Sequence, residues 1–323
     1  MRVVALAGGV GGARLAAGLQ AVAGSDLTVI VNTGDDLELH GLLVCPDHDT
    51  VLYTLAGIAN DETGWGVAGE TWNAADQLAR YGEQTWFRLG DRDLATHVAR
   101  TARIRAGERL TTVSLRLQAA LGVVARILPM TDDPARTEIR TDEGWLEFQE
   151  YFVHRHQEPE VRAVRYRGAD VATMTPEVTA ALAAADVIVI CPSNPIVSIA
   201  PILTVPGMRP AVRAARERGT RVIAVSPIIA GRALKGPADR MLASLGHESS
   251  AFGVASLYRH LLDAFTFDAT DDPALRPRIE ALGVRALQAQ TIMTDDTSRA
   301  ALARVVIDAA LSSDLAPAPR SPS

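Results

Sequence analysis

Val3-Val4-Ala5-Leu6-Ala7 runs directly into Gly8-Gly9-Val10-Gly11-Gly12-Ala13-Arg14, and this junction decides the fold. The apolar run is short, β-branched and unbroken, the pattern of a strand buried on both faces. A helix is expected over 13–22, and a second apolar run follows at Leu27–Val31. Strand, loop, helix and strand in series open a doubly wound sheet. Two further runs of the same kind lie at 186–190 and 221–225. Each of the four ends in a polar loop. The later three loops are Asn32-Thr33-Gly34-Asp35-Asp36, Cys191-Pro192-Ser193-Asn194-Pro195 and Ser226-Pro227-Ile228-Ile229-Ala230-Gly231-Arg232. Parallel strands place all four loops at one carboxyl edge, where open α/β sheets bind ligands.

The chain has 323 residues, 48% hydrophobic and 22% charged, the make-up of a globular protein with one large core. A net charge of −6 argues against a general nucleic-acid partner. The two cysteines, Cys45 and Cys191, lack metal-ligand spacing and read as free thiols. No apolar stretch approaches the roughly 20 residues that span a bilayer. A cytoplasmic protein with no membrane partner is expected.

Along the chain, helices are expected at 50–58, 72–81, 94–106 and 110–121, a block that interrupts the sheet. Short runs at 125–129, 137–141, 145–153 and 161–166 predict a β-rich excursion. The α/β pattern resumes with a helix at 176–184, a strand at 187–190, a helix at 208–218 and a strand at 222–225. The last third reads as helical (238–245, 254–262, 272–282, 297–311) with one edge strand at 285–288. The expectation is a single α/β domain over 1–315 with a Rossmann-like, doubly wound, mostly parallel sheet. Its core comprises 1–50 and 170–290, with a helical and β-rich insertion at about 51–169 and a helical C-terminal region. The Pro- and Ser-rich tail 316–323 is expected to be disordered.

The loops carry the chemistry. Glycines 8–12 at a helix start offer backbone amides and a positive helix end to an anion, or else form a tight structural turn. Arg14 stands where a dinucleotide fingerprint requires its third glycine, and there is no Lys-Ser/Thr pair of a Walker loop. Asp35 and Asp36, with Asn32 upstream and Cys45-Pro46-Asp47-His48-Asp49-Thr50 downstream, supply hard oxygens suited to Mg²⁺. Asp47 and Asp49 also suit a helix N-terminus, Asp49-Thr50 as its cap. Ser193 and Asn194 either read a ligand or cap the next helix. Arg232 and Lys235 either balance phosphoryl charge or form a solvated turn. The aromatics of 145–152 read as core, and His154 and His156 as neighbours on one face of a strand.

Gly8–Arg14, Asn32–Asp36 and His40-Gly41-Leu42-Leu43-Val44-Cys45-Pro46-Asp47-His48-Asp49-Thr50-Val51-Leu52-Tyr53 resemble the 2-phospholactate transferase family. The resemblance continues in order through 148–159, 191–198 and 226–241. It implies an Mg²⁺-dependent enzyme of coenzyme F-420 biosynthesis, Rossmann-like and homodimeric. That family transfers a phospholactyl-type group (2-phospholactate or phosphoenolpyruvate) from a guanylyl diphosphate donor to the hydroxyl of the deazaflavin Fo, releasing GMP. Carried onto this chain, it implies catalytic roles for Asp35, Asp36 and Arg232, and metal binding by Asp35, Asp36 and Asp47. Substrate binding falls to Gly9, Val10, Gly11, Gly12, Arg14, Asn32, Thr33, His40, Asp49, Thr50, Ser193, Asn194, Ser226 and Lys235. The rival is a related sister group of nucleotide-sugar-binding regulatory proteins. Serines and glycines follow its Asp pair, whereas Leu37-Glu38-Leu39-His40-Gly41 follows here. Arg14 disfavours a third reading, a nicotinamide-dependent oxidoreductase.

Overall fold

Seven apolar runs form one sheet in the computed structural model, which describes residues 1–312. They are Val3–Ala7, Leu27–Val31, Arg126–Pro129, Val187–Ile190, Arg221–Val225, Ala264–Asp268 and Arg285–Ala289, named β1 to β7. The order is β3-β2-β1-β4-β5-β6-β7, with every neighbouring pair parallel. Register is set at the centre, where Val3 lies opposite both Leu27 and Val187. The chain winds outward from β1 through β2 to β3, then returns to β4 on the other side. The topological switch therefore falls between β1 and β4, beneath the Gly8–Gly12 and Cys191–Pro195 loops.

The central strands are largely apolar because both faces are covered. Val4, Leu6, Ile30, Leu128, Ile188 and Ile190 enter one buried cluster. Val3, Ala5, Ala7, Val29, Val31 and Val189 enter the other. On that second face, helix α1 (Gly9–Ala23) packs against the C-terminal helix Asp296–Leu311 and against α2 (Pro46–Leu55).

The Rossmann-like reading holds, with local corrections. Helix α1 begins at Gly9 rather than near 13, its first turn built from glycines that tertiary contacts demand. Helix α2 begins at Pro46, with Cys45 at the N-cap, so Asp49-Thr50 is not the cap. Pro46 at the first helical position was the available signal. The run at 125–129 belongs to the central sheet as edge strand β3, so the sheet reaches inside the supposed insertion. The helix expected at 254–262 spans Ala251–Tyr258 and ends in a turn, and strand β6, which follows it, was not expected.

The helical block comprises Asn73–Arg80 (α3), Asp91–Arg105 (α4) and Leu110–Ala120 (α5). The β-rich excursion is a three-stranded antiparallel sheet of Gly144–Glu147, Arg136–Thr141 and Ala163–Arg167. Residues 150–154 coil helically, so His154 and His156 do not share a strand face. His154 instead stacks on Trp86, with ring centroids 5.2 Å apart. Among the described residues no single helix is long and apolar enough to cross a membrane. The expected disordered tail lies outside the described residues.

Candidate active site

Strand β2 is followed by Asn32, whose carboxamide organises the second loop. Its Oδ1 accepts from the Gly34 amide at 2.8 Å, fixing the turn that presents Asp35. Its Nδ2 donates to Asp35 Oδ1 (3.3 Å), Asp47 Oδ2 (2.9 Å) and the Val197 carbonyl (3.2 Å). One buried amide thus ties the ends of β2, α2 and the β4 loop together. Asp35 also accepts from Gln149 Nε2 at 3.1 Å. Asp47 accepts from the Gly9 amide and the Ser198 hydroxyl, and shares a hydrogen bond with Asp35.

Two buried carboxyls that share a hydrogen bond cannot both stay ionised without a cation. Burial, then the neighbouring Asp47 and Asp36 charges, hold Asp35 well above the usual carboxylate range. Burial pushes Asp47 up to about 6. The donor set is all oxygen, from hard carboxylates with a hydroxyl nearby, and the pair carries more negative charge than its surroundings neutralise. These residues fit a hard divalent cation such as Mg²⁺.

Asp36 keeps other company. It accepts from the buried Cys45 thiol and lies near the Arg136 and Arg100 charges, while one of its oxygens is buried without a partner. Burial raises it to about 7 despite those cations.

The glycine loop meets the β4 loop at the switch point. Gly8 donates its amide to Ser193 Oγ at 3.1 Å. A Cβ on Gly8 would strike the Asp47 carboxylate, one on Gly11 the Pro192 carbonyl, and one on Gly12 the Ser193 hydroxyl. The glycines therefore serve close approach between loops, and two of their amides are already engaged. The amides of Val10 and Gly11 lie in the first turn of α1, where a helix provides no intrahelical acceptor.

The other sequence-predicted residues divide. Ser193 joins the group. Asn194 caps the following turn, its Oδ1 accepting from Ile196 and Val197. Ser226 folds back on Ile228 within its own loop. Arg14 donates to the Met293 carbonyl at 3.0 Å. Lys235 reaches the Thr63 carbonyl at 3.2 Å. Arg232 is exposed and forms no ion pair among the described residues. Thr33 is buried with its hydroxyl unpartnered, and Thr50 lies within α2. His40 sits at the turn of the hairpin Leu37–Leu39/Leu42–Val44, a strand's length from Asp36 and Cys45.

Asp49 is held by a partner that the sequence did not advertise. Arg100 of α4 is fully buried and grips both its oxygens, with Nη1 3.0 Å from Oδ2. Burial alone would raise Asp49, but the Arg100 guanidinium outweighs it and holds the carboxyl far below the usual range. Arg100 also donates to the Leu43 carbonyl at 3.3 Å. Asp49, Asp93 and His97 come close enough to hold a metal, yet Arg100 supplies the cation on Asp49 and Tyr53 donates to Asp93 at 2.7 Å. Gln149, Ser198 and Arg100 are the residues that sequence reasoning missed. Gln149 was hidden in an aromatic run read as core, and Ser198 in an apolar one.

A doubly wound α/β chain with a glycine loop and an acidic pair at its switch point has the architecture in which open α/β sheets bind small ligands. The chain belongs to the family described as 2-phospho-L-lactate transferase CofD, whose sequence model matches residues 3–309. It is 45% identical to a phosphoenolpyruvate transferase of Streptomyces griseus subsp. griseus, covering 96% of this chain and 98% of that one. It is 39% identical to a 2-phospho-L-lactate transferase of Methanosarcina mazei, covering 95% of this chain and 100% of that one. Among solved structures, a UPF0052-family protein from Bacillus halodurans shares the fold, with a TM-score of 0.62 at 16% identity. That match covers 95% of this chain and 98% of the other. The chain is thus a transferase of the CofD family.

Proposed function

We propose that this protein transfers a phospholactyl-type group from a guanylyl diphosphate donor to the primary hydroxyl of the deazaflavin Fo, releasing GMP, with Mg²⁺ as cofactor. The observation that carries this reading is the meeting of Asp35 and Asp47 beside the N-terminus of α1, in a chain of this family. Asp35 and Asp47 would hold Mg²⁺, which when bound supplies positive charge to the phosphoryl oxygens. Asn32, Gln149 and Ser198 orient the two carboxyls. The Val10 and Gly11 amides bind a donor phosphate at the helix end. Arg232 and Lys235 offset the negative charge of the diphosphate as the Fo hydroxyl gives its proton to a site carboxylate and its oxygen bonds to phosphorus, while the bond from that phosphorus to the GMP oxygen breaks. Phosphoryl transfer asks a protein chiefly for such positioning and charge neutralisation.

The test is a Mg²⁺-dependent assay with purified Fo and guanylyl donors made in situ, one three-carbon acid at a time, read by mass spectrometry. The greater identity to a phosphoenolpyruvate transferase puts the enolpyruvyl donor first. A phosphodiester of Fo plus GMP is expected, lost in Asp35→Asn and Asp47→Asn. A folded protein that yields no product with any donor would overturn the reading in favour of a nucleotide-sugar-binding module.

A further inference from the structure

The loop at 60–66 is a closed unit at the mouth of the site. The Asn60 amide donates to the Gly66 carbonyl and the Gly64 amide to the Asn60 carbonyl. Asn60 Oδ1 accepts from the Glu62 amide at 3.1 Å, and an Ala59–Val67 bridge closes the base. Two cations pin it from outside: Lys235 on the Thr63 carbonyl at 3.2 Å and Arg299 on Asp61 at 3.0 Å. Gly64 rests against the anion loop, since a Cβ built on it would lie 3.2 Å from Val10 Cγ2.

Trp65 follows immediately and is 47% exposed. The other three tryptophans each have a ring or cation partner. Trp72 lies under Arg88 and Trp145 under Arg165, and Trp86 stacks on His154. Trp65 has none among the described residues. Its neighbours Gly64 and Gly66 both take left-handed φ, of 80° and 73°, so the backbone is shaped to hold the tryptophan at that tip. An indole left in water, on a pinned loop beside an anion site, lacks the partner that large aromatic surfaces ordinarily find.

We propose that Trp65 is the stacking platform for a planar heteroaromatic ring of a substrate, and so a specificity-determining residue. This rests on the transferase reading, which supplies two such rings: the purine of the donor and the tricycle of the deazaflavin acceptor. Stacking accepts either, because it reads a π face rather than hydrogen-bonding edges.

The experiment compares the full-length protein with Trp65→Ala, Trp65→Leu and Trp65→Phe, titrating GMP and Fo separately and measuring KM and kcat for each substrate. Loss of a stack is expected to weaken one ring ligand roughly 5- to 150-fold in the Ala and Leu variants, with kcat nearly unchanged. The Phe variant should restore most of the loss. A GMP-selective effect assigns the purine, and an Fo-selective effect assigns the deazaflavin. If Ala disturbs the loop, the contrast between Leu and Phe still decides, because both keep apolar bulk and only one keeps a π face. Wild-type affinity of all three variants for both ligands overturns the platform and leaves the transferase reading standing. A wild-type protein that neither turns over nor binds either ring overturns that reading and the platform with it.

Discussion

Arg100 shows how much of the site rests on a residue with no motif around it. Its guanidinium is buried, and Asp49 is its carboxylate partner. Through Asp49 and the Leu43 carbonyl it ties α4 to α2 and to the hairpin that precedes it. Asp49 sits one half-turn from Asp47, so the ion pair fixes the helix that delivers a candidate metal ligand. Removing one partner of a buried pair leaves an uncompensated charge, at about 3–5 kcal/mol. Arg100→Met should therefore lower the denaturant midpoint strongly. Arg100→Met combined with Asp49→Leu should recover much of that loss, because no charge is then stranded. Additive losses in this double-mutant cycle would show that Arg100 acts through packing alone. The sequence revealed Asp35, Asp47 and Asn32 because loop position and residue type point to their chemistry. It could not reveal Arg100, since a helix interior carries no local signal for an ion pair 51 positions away. Asn194 and Ser226 show the reverse. The Asn194 Oδ1 caps its own turn, the structural reading that the sequence left open, and the Ser226 hydroxyl bonds within its own loop.

At the scale of elements, strands of the central sheet were legible where an apolar run stood between polar loops, as in β1, β2, β4 and β5. Strand β6 was not, because Ala-Phe-Thr-Phe-Asp follows a helix without intervening Gly or Pro. Strand β3 was seen as a strand but placed in the wrong sheet. Periodicity identifies an element and says nothing of its neighbour. Helix α1 was placed too late because propensity disfavours its glycines, whereas tertiary contact requires them. The same logic applies deeper in that helix. Gly18 faces the C-terminal helix so closely that a Cβ there would strike the Arg299 carbonyl, backbone that cannot swing aside. Alanine raises helix propensity by about 1 kcal/mol over glycine. Gly18→Ala should nonetheless destabilise the protein, because overpacking costs about 1–3 kcal/mol. A raised midpoint in chemical denaturation would show that the two helices separate freely.

The whole molecule couples its stability to the charge state of the site. The folded protein holds Asp47 up to about 6, Asp36 up to about 7 and Asp35 well above the ordinary value, burial being the first cause for each. Such groups bind protons more tightly folded than unfolded. Their contribution to stability is therefore complete below about pH 4 and falls as pH rises through the folded values. Glu177, held down to about 2 by Arg109, acts in the opposite sense but below about pH 4.5, and His48, lowered by burial, opposes the carboxyls in their own window as one group against three. The metal-free protein should lose thermal stability between pH 5 and pH 8. Mg²⁺ should restore it, more at pH 8 than at pH 5, because protons and cation compete for Asp35 and Asp47. A cation bound only by the folded state adds RT ln(1 + [L]/Kd), about 2.7 kcal/mol at a hundred times Kd. Asp47→Asn should flatten the pH dependence and abolish the Mg²⁺ effect together. Melting curves at the two pH values, with and without Mg²⁺, separate the outcomes. A Mg²⁺ stabilisation that survives in Asp47→Asn would place the cation elsewhere, and a metal-free protein equally stable at both pH values would mean that these carboxyls are not strained in the fold.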